Sequence, residues 1–291
     1  MSRIHHSLRA VAHSLAALCL IQTSSLADDA PKASAPIIPD LEINESTTSF
    51  ESQGKTLAVE RFEPKAKGKY PAVIVLHGSG GMILGGPLFR DLSRRLARRG
   101  YVAHVIHYFD LTGTKLADLP TMKANFPVWL LAVADGVSFA AKQPNVDPER
   151  IGVLGFSLGG FLSVSLAMFD ARVNAVVEYF GGLPVELQKD LKSLPPTLIL
   201  HGDADRVVPV AEAKTLEKLC VEKNVKHEVR IYAGQGHFFL GDDGRDAISR
   251  TLAFFDAHVK QTITRHEVAR PKFDLLPGGA PKNGFASVGK N

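Results

Sequence analysis

Residues 151–160 have the sequence Ile-Gly-Val-Leu-Gly-Phe-Ser-Leu-Gly-Gly, and this stretch decides the fold. An apolar run of strand length passes through Ser157 into an apolar segment of helical length. Glycine stands two residues before and two residues after the serine, where side chains would collide in a sharp strand-to-helix turn. The pattern predicts a serine held on such a turn, at the N-terminus of a helix whose dipole favours negative charge. A glycine-rich turn with an incidental serine is the alternative.

Strand-length apolar runs and helical patterns alternate on both sides of this turn. Repeated units of this kind predict a doubly wound, mostly parallel sheet with helices on both faces, built with right-handed crossovers. An antiparallel hairpin with its turn at residues 53–55 is predicted to precede it. The predicted strands are 71–77, 101–107, 151–156, 173–180, 197–201 and 228–232, and the predicted helices are 88–99, 122–142, 158–169, 210–220 and 245–259.

The first 27 residues have the layout of a secretory signal peptide. Arg3 and Arg9 flank the start, residues 10–21 are mostly apolar, and Ser25-Leu26-Ala27 offers small residues for cleavage after Ala27. The apolar run is shorter than the roughly 20 residues that span a bilayer. We therefore predict an exported protein, periplasmic or secreted, without stable membrane insertion after cleavage, and expect that no later stretch is apolar enough to be a transmembrane helix.

Composition and charge indicate how the rest of the chain is organised and which partners it lacks. Its 45% hydrophobic and 22% charged residues fit one globular domain, predicted at 47–263 after a flexible leader at 28–46. The formal net charge of +4 is concentrated in the signal segment and in a basic tail at 264–291, which is predicted to be disordered. The domain between them is about neutral and has no basic stripe, so nucleic-acid binding is not expected. The oligomeric state is not indicated.

Two downstream residues are candidate partners for the serine. A serine hydroxyl needs a base to take its proton, and the base needs a carboxylate to orient it. Asp205 follows one predicted strand and His237 follows the next, so both belong at the sheet edge that carries Ser157. We predict that Ser157 is the nucleophile, His237 the base and Asp205 the orienting acid. Asp203 is the other candidate acid, but its place at the strand end favours capping of the turn.

Further residues are predicted to bind the substrate. The Leu158 N–H and a second N–H, from Ser79 or Gly80 in the glycine-rich stretch after residue 77, are expected to hold an oxyanion. A loop that needs glycine only to turn is the alternative for this stretch. Phe109, Phe126 and Trp129 are candidates for the pocket wall, and core packing is the alternative for each. The histidines lack the spacing of a helical zinc site, so neither a metal nor a cofactor is expected.

Together these motifs resemble the dienelactone hydrolase family of the α/β-hydrolase fold, over about residues 54–258. The namesakes of that family use a cysteine nucleophile, whereas this chain has Ser157. The resemblance implies a serine hydrolase that cleaves a small-molecule carboxylic ester or lactone through an acyl-enzyme. The alternatives are a small peptidase of the prolyl-oligopeptidase type and a non-catalytic binding protein on the same fold. The resemblance is carried by Leu76-His77-Gly78, residues 147–152, Gly155-Phe156-Ser157-Leu158-Gly159-Gly160, Glu178-Tyr179-Phe180-Gly181-Gly182, His201-Gly202 with Asp205 and Val208-Pro209, and Tyr232 with Gly236-His237-Phe238.

Overall fold

The computed structural model describes residues 40–260, so the predicted signal peptide, most of the leader and the predicted tail lie outside the described residues. Eight strands form one sheet in the order β1-β2-β4-β3-β5-β6-β7-β8. The strands are β1 (Ile43–Ser52), β2 (Lys55–Pro64), β3 (Tyr70–Leu76), β4 (Val102–Ile106), β5 (Val146–Phe156), β6 (Val173–Tyr179), β7 (Thr197–Gly202) and β8 (His227–Tyr232). β2 is antiparallel to both of its neighbours, and every other pair is parallel, as predicted.

Helices follow the strands and cover both faces of the sheet. In β3, Ala72, Ile74 and Leu76 pack into one apolar layer, whereas Val73 and Val75 pack into the other. Successive side chains of a strand point to opposite faces, so a strand buried on both sides divides the core in this way. The helices are α1 (Gly81–Arg98), α2 (Leu119–Ala141), α3 (Leu158–Phe169), α4 (Val185–Gln188), α5 (Ala211–Glu222) and α6 (Gly241–Phe255), with a 3-10 turn at Tyr108–Leu111 and a π-helical turn at Asp256–Lys260. One layer holds α2, α3 and α5, and the other holds α1 and α6.

The sheet begins earlier than the composition predicts. β1 starts at Ile43, opposite Pro64 of β2, so residues 43–46 belong to the strand and not to the leader. Residues 44–49 are exposed, and the strand there is defined by pairing with β2 and not by an apolar pattern. Gln53 and Gly54 close the predicted hairpin with φ of 50° and 75°, which is the backbone of a two-residue turn that suits twisted strands.

Helix α2 differs from the sequence expectation. By length and composition alone this helix is apolar enough to cross a membrane. The expectation that no stretch after the signal segment is apolar enough to be a transmembrane helix is therefore wrong. Its side chains at Trp129, Leu130, Val133 and Val137 are buried in the core beside the sheet. The hydropathy of this helix is therefore that of a helix packed into a protein core.

Candidate active site

Ser157 occupies the turn between β5 and α3. Its φ of 55° and ψ of −117° lie outside the regions that residues with a Cβ prefer, and such strain is concentrated at functional sites. The Ser157 N–H donates to the Tyr179 carbonyl at 2.9 Å, and the Ser157 carbonyl accepts from the Phe161 N–H at 3.1 Å. The turn is thus fixed both to the neighbouring strand and to the helix that it begins.

Glycines around the serine are required by close backbone contacts. A Cβ at Gly155 would overlap the Gly159 carbonyl, and a Cβ at Gly159 would overlap the Leu76 carbonyl at the end of β3. A Cβ at Gly78 would lie 3.2 Å from the Ser157 Cβ, which places the loop after β3 directly beside the serine. The predicted turn and the predicted oxyanion loop therefore meet at Ser157.

His237 and Asp205 form a hydrogen-bonded pair. The His237 Nδ1–H donates to Asp205 Oδ2 at 2.7 Å, and the other oxygen of Asp205 accepts from the Val207 and Val208 N–H groups at 2.8 and 3.0 Å. The Asp205 side chain is fully buried and that of His237 is 12% exposed. With Nδ1 protonated, Nε2 has its lone pair free to accept a proton.

Asp203, the competing acid, holds the two loops together. Its Oδ1 accepts from the Gly234 N–H at 2.7 Å, and its own N–H donates to the Tyr232 carbonyl at 3.1 Å. The Ala204 N–H adds a bond to the Gln235 carbonyl at 3.0 Å. Asp203 therefore fixes the position of the loop that carries His237, and Asp205 alone of the two contacts the imidazole.

Phe180 is a site residue that the sequence indicated only as part of the family resemblance, without a role. Its φ is 43°, a left-handed conformation that is costly for a bulky side chain. Its N–H donates to the Leu200 carbonyl at 2.8 Å, and its ring lies 4.5 Å from the His237 ring. Because Tyr179, the preceding residue, accepts the Ser157 N–H, this one turn contacts both the serine and the histidine. The available signal was the Phe-Gly-Gly run after a predicted strand.

The loops near Ser157 present unpaired backbone N–H groups. Within residues 40–260, the Leu158, Ser79 and Gly80 N–H groups have no hydrogen-bond acceptor. The next N–H along the loop, that of Gly81, is used in a turn to the Gly78 carbonyl at 3.0 Å. The predicted donors are thus available, and the geometry leaves both Ser79 and Gly80 open as the second donor.

His77 holds the glycine-rich loop after β3 in place. Its ring stacks on Tyr108 at 4.0 Å, its Nδ1–H donates to the Gly78 carbonyl at 2.9 Å, and Tyr108 Oη donates to the His77 carbonyl at 2.7 Å. Burial lowers the pKa of His77 to about 3, so the ring is neutral at physiological pH. His77 therefore shapes the loop and carries no charge.

The predicted pocket wall is mostly core. Trp129 is 0% exposed and Phe109 4%, their rings are 4.5 Å apart, and the indole N–H donates to Thr112 Oγ1 at 3.0 Å. Both side chains are therefore buried in the core, and their place in a pocket wall stays a prediction. Phe126 is half-buried and packs against the same core. An apolar helix shows the same aromatic residues in either case, so the sequence does not separate the two roles.

A buried carboxyl group lies behind the site at Glu178 in β6. Its Oε2 accepts from the Gly181 N–H at 2.6 Å, while Oε1 is buried without a partner. A Cβ at Gly160 would lie 3.3 Å from Oε2, which places the carboxyl between α3 and the turn after β6. Desolvation raises the pKa of Glu178 to about 8, and the bond from Gly181 offsets this only in part. The group is therefore mostly protonated at neutral pH.

No group of three or more His, Cys, Asp or Glu side chains that could hold a metal ion occurs between residues 40 and 260.

Comparisons with known proteins agree with this architecture. The model of the dienelactone hydrolase family matches residues 57–263. A Salmonella typhimurium protein that carries the name carboxymethylenebutenolidase is 30% identical over 244 residues, covering 75% of this chain and 88% of that protein. A crystal structure described as a dienelactone hydrolase from Klebsiella pneumoniae has 26% identity and a TM-score of 0.65, covering 75% of this chain and 100% of that one. An acylaminoacyl peptidase from Pyrococcus horikoshii shares the fold at 15% identity and a TM-score of 0.63, covering 78% of this chain and 43% of that one.

Proposed function

The chain belongs to the dienelactone hydrolase family, and on that premise we propose that it is an exported serine hydrolase that cleaves a carboxylic ester or lactone. Ser157 is the nucleophile, His237 the base and Asp205 its orienting acid. The observation that carries the proposal is the 2.7 Å bond between His237 Nδ1 and Asp205 Oδ2, at the sheet edge that also carries a serine on a strained turn. No cofactor takes part in the proposed reaction.

Acylation uses the serine and the base. Ser157 Oγ attacks the carbonyl carbon as its proton passes to His237 Nε2, and Asp205 stabilises the imidazolium that forms. The tetrahedral oxyanion accepts hydrogen bonds from the Leu158 N–H and from the Ser79 or Gly80 N–H. The carbon–oxygen bond to the alcohol then breaks, and His237 returns the proton to the leaving oxygen. The acyl group remains on Ser157 as an ester.

Deacylation repeats the same steps with water. A water molecule attacks the acyl carbon and loses its proton to His237, and the second oxyanion forms in the same place. Its collapse releases the acid and returns the proton to Ser157. If the substrate is a lactone, the alcohol stays attached to the acyl group, and one hydroxy acid leaves. The family name and the Salmonella relative's name support the lactone as a substrate form, and the serine supports ordinary esters.

The test is hydrolysis of p-nitrophenyl acetate by the purified protein beside Ser157→Ala. We expect turnover by the wild type, and a fall in kcat of at least about a thousandfold in the variant, because the nucleophile is lost. Ser165→Ala is the matched control, since Ser165 lies on the same helix with a buried hydroxyl that has no partner. A Ser157→Ala protein that keeps the wild-type rate contradicts the assignment.

Export is a separate part of the proposal and has its own test. We expect the protein, expressed in a bacterium with two membranes, to be found outside the cytoplasm with Asp28 as its first residue. Mass spectrometry of the purified chain checks this directly. A cytoplasmic chain that retains residues 1–27 contradicts export.

The two alternatives are distinguished by the same assays. The similarity to the Pyrococcus peptidase, at 15% identity, supports the fold alone and gives no reason to prefer a peptide substrate. Hydrolysis of aminoacyl p-nitroanilides in preference to esters would favour the peptidase. A binding protein would show neither turnover nor labelling of Ser157 by a fluorophosphonate.

A further inference from the structure

Exposed apolar side chains are concentrated around the candidate site. Within residues 40–260, nine large hydrophobic side chains are strongly exposed. Eight of them lie on the segments that follow the carboxyl ends of β3, β4, β6, β7 and β8, and the remaining loop of that edge, after β5, carries Ser157. We name these eight residues the apolar rim. They are Ile83, Leu84, Leu116, Leu119, Val185, Val207, Phe238 and Leu240.

One side of the apolar rim adjoins the proposed oxyanion loop. The Leu84 N–H donates to the Gly80 carbonyl at 3.2 Å, and a Cβ at Gly80 would lie 2.8 Å from the Leu84 Cβ. The Ala117 N–H donates to the Ser79 carbonyl at 2.9 Å, which brings the neighbouring Leu116 to the same loop. Leu84 is 73% exposed and Leu116 56%. Hydrocarbon thus flanks the backbone that would hold the substrate carbonyl.

The opposite side of the apolar rim adjoins the acid and the base. The ring of Phe238, 56% exposed, lies 5.4 Å from the His237 ring. Val207, 67% exposed, donates its N–H to Asp205. Val185, 70% exposed, begins α4 just after the turn that contacts His237. Apolar surface therefore surrounds the catalytic groups on more than one side.

The exposed hydrophobic side chains are not scattered evenly over the surface. Single exposed hydrophobic residues are normal on protein surfaces and are expected everywhere. In the part of the chain that the structure describes, the amino edge of the sheet and the outer helix faces contribute only Val221, near the C-terminus of α5. Exposed apolar surface that collects at a site usually marks a ligand or partner. The apolar rim therefore indicates a ligand with a hydrocarbon part that extends to Ser157.

The buried ionisable groups near the site also suit an uncharged ligand. None of the described lysine or arginine side chains is buried. The buried ionisable groups that adjoin the site at His77 and Glu178 are held neutral by desolvation. A carboxylate on the substrate would thus find no buried cation to pair with in this part of the chain. Hydrocarbon has no such requirement.

We propose that the apolar rim binds the hydrocarbon chain of the ester, so that the preferred substrates are uncharged esters with an acyl chain of several methylenes. This inference rests on the proposed function, because it assigns the substrate class of the same site. The chain lies along the loops after β3, β6 and β8 while its carbonyl sits at Ser157. Each methylene in contact with the apolar rim leaves water and stabilises the bound ester.

Lys260, the last residue that the structure describes, is held by two hydrogen bonds. The Lys260 carbonyl accepts from Arg150 at 3.1 Å and its Nζ donates to the Arg99 carbonyl at 2.8 Å. These contacts lie at the amino edge, opposite Ser157. A substrate whose carbonyl lies at Ser157 can reach the apolar rim directly. We therefore assign the substrate as the ligand that covers the apolar rim.

The test compares p-nitrophenyl acetate with p-nitrophenyl hexanoate, using the full chain. A fully buried methylene is worth about a fourfold gain in binding, and one left half in water about twofold. Four added methylenes on an open surface should therefore raise kcat/KM about 16-fold. Leu84→Ser and Val185→Ser should each lower the hexanoate-to-acetate ratio of kcat/KM severalfold. Val221→Ser, which removes an equally exposed valine at the far edge, should leave that ratio unchanged.

The outcomes separate the two proposals. A ratio near one, or a ratio that the rim variants do not change, overturns the apolar rim as a substrate site while the proposed function stands. A wild-type protein that hydrolyses neither ester overturns both. Size-exclusion chromatography adds a further check: a dimer that Leu84→Ser dissociates would assign the apolar rim to a second copy of the chain and overturn the inference.

Discussion

Replacing Glu178 with glutamine changes one proton-binding group and little else. The carboxyl is 0% exposed, its Oε2 accepts from the Gly181 N–H at 2.6 Å, and its Oε1 has no partner. In Glu178→Gln the amide oxygen can keep the bond from Gly181. The amide nitrogen then takes the place of the unpartnered oxygen, with a cost that does not depend on pH. The variant therefore isolates the ionisation of this carboxyl.

The magnitude follows from the pKa of Glu178. Burial raises this pKa from its ordinary value of 4.5 to about 8 in the folded chain. Because the folded state binds the proton more tightly, the stabilisation is complete below pH 4.5 and is lost as the pH rises towards 8. The free energy of unfolding falls by about 1.4 kcal/mol per pH unit in this window. Over the whole window the loss is about 5 kcal/mol.

The assay is urea unfolding of both proteins between pH 5 and pH 8. Other titrating groups are common to both, so we compare the difference in free energy of unfolding, wild type minus Glu178→Gln. This difference should fall by about 4 kcal/mol across the three pH units. Glu228→Gln, which removes an exposed carboxyl from β8, is the matched control. A Glu178→Gln difference that stays constant to within about 1 kcal/mol would refute the reasoning.

Three further predictions concern the turn, the acid and the thiol. Asp205→Asn should lower kcat of ester hydrolysis by about 10⁴, because an amide no longer holds His237 in the tautomer that accepts the serine proton; steady-state kinetics check this, and a loss below tenfold counts against the assignment. Gly159→Ala should lower the melting temperature sharply or prevent folding, since its Cβ meets backbone, whereas Gly236→Ala, with open space around it, should not; thermal unfolding compares them. Cys220, whose pKa burial raises to about 12, should react with Ellman's reagent only after unfolding.

The turn at Ser157 was predictable from sequence because its constraints are local. Helix α3 begins and ends at the predicted residues, 158 and 169. The same backbone contacts that exclude a Cβ at Gly155 and Gly159 leave their mark on the sequence as glycine. Parallel strands then carry the loops of Asp205 and His237 to the same edge, so strand order was enough to predict their proximity.

The start of α1 was not predictable in this way. The helix begins at Gly81, whereas the periodicity of Leu88, Leu92 and Leu96 predicts a start at residue 88. Two glycines and Pro87 precede that stripe and favour a loop by local propensity. The loop after β3 packs against the start of the helix, and this tertiary contact outweighs the propensity. The exposed Leu84 and the oxyanion loop therefore share one short segment.

The burial of Glu178 and the exposure of the apolar rim could not be predicted from the sequence, for a different reason. A glutamate in an apolar strand does not show whether its carboxyl faces solvent or lies under the next turn, as Glu178 does. A leucine in a loop, such as Leu84 or Leu116, is equally compatible with a core position. Burial depends on neighbours that are distant in sequence. Trp129 shows the converse, because this candidate for the pocket wall is buried in the core.

Burial keeps three ionisable groups near Ser157, other than the Asp205–His237 pair, mostly uncharged, and the proposed mechanism benefits from this. Desolvation lowers the pKa of His77 to about 3, lowers that of His201 as well, and raises that of Glu178 to about 8, so all three are mostly uncharged at neutral pH. Electrostatic interactions strengthen as the surroundings become less polar. The oxyanion that forms on attack by Ser157 would then respond chiefly to the backbone dipoles at Leu158 and the oxyanion loop. An ionised Glu178, close to the first turn of α3, would oppose that negative charge. Neutral groups behind the serine and hydrocarbon in front of it thus serve the same step.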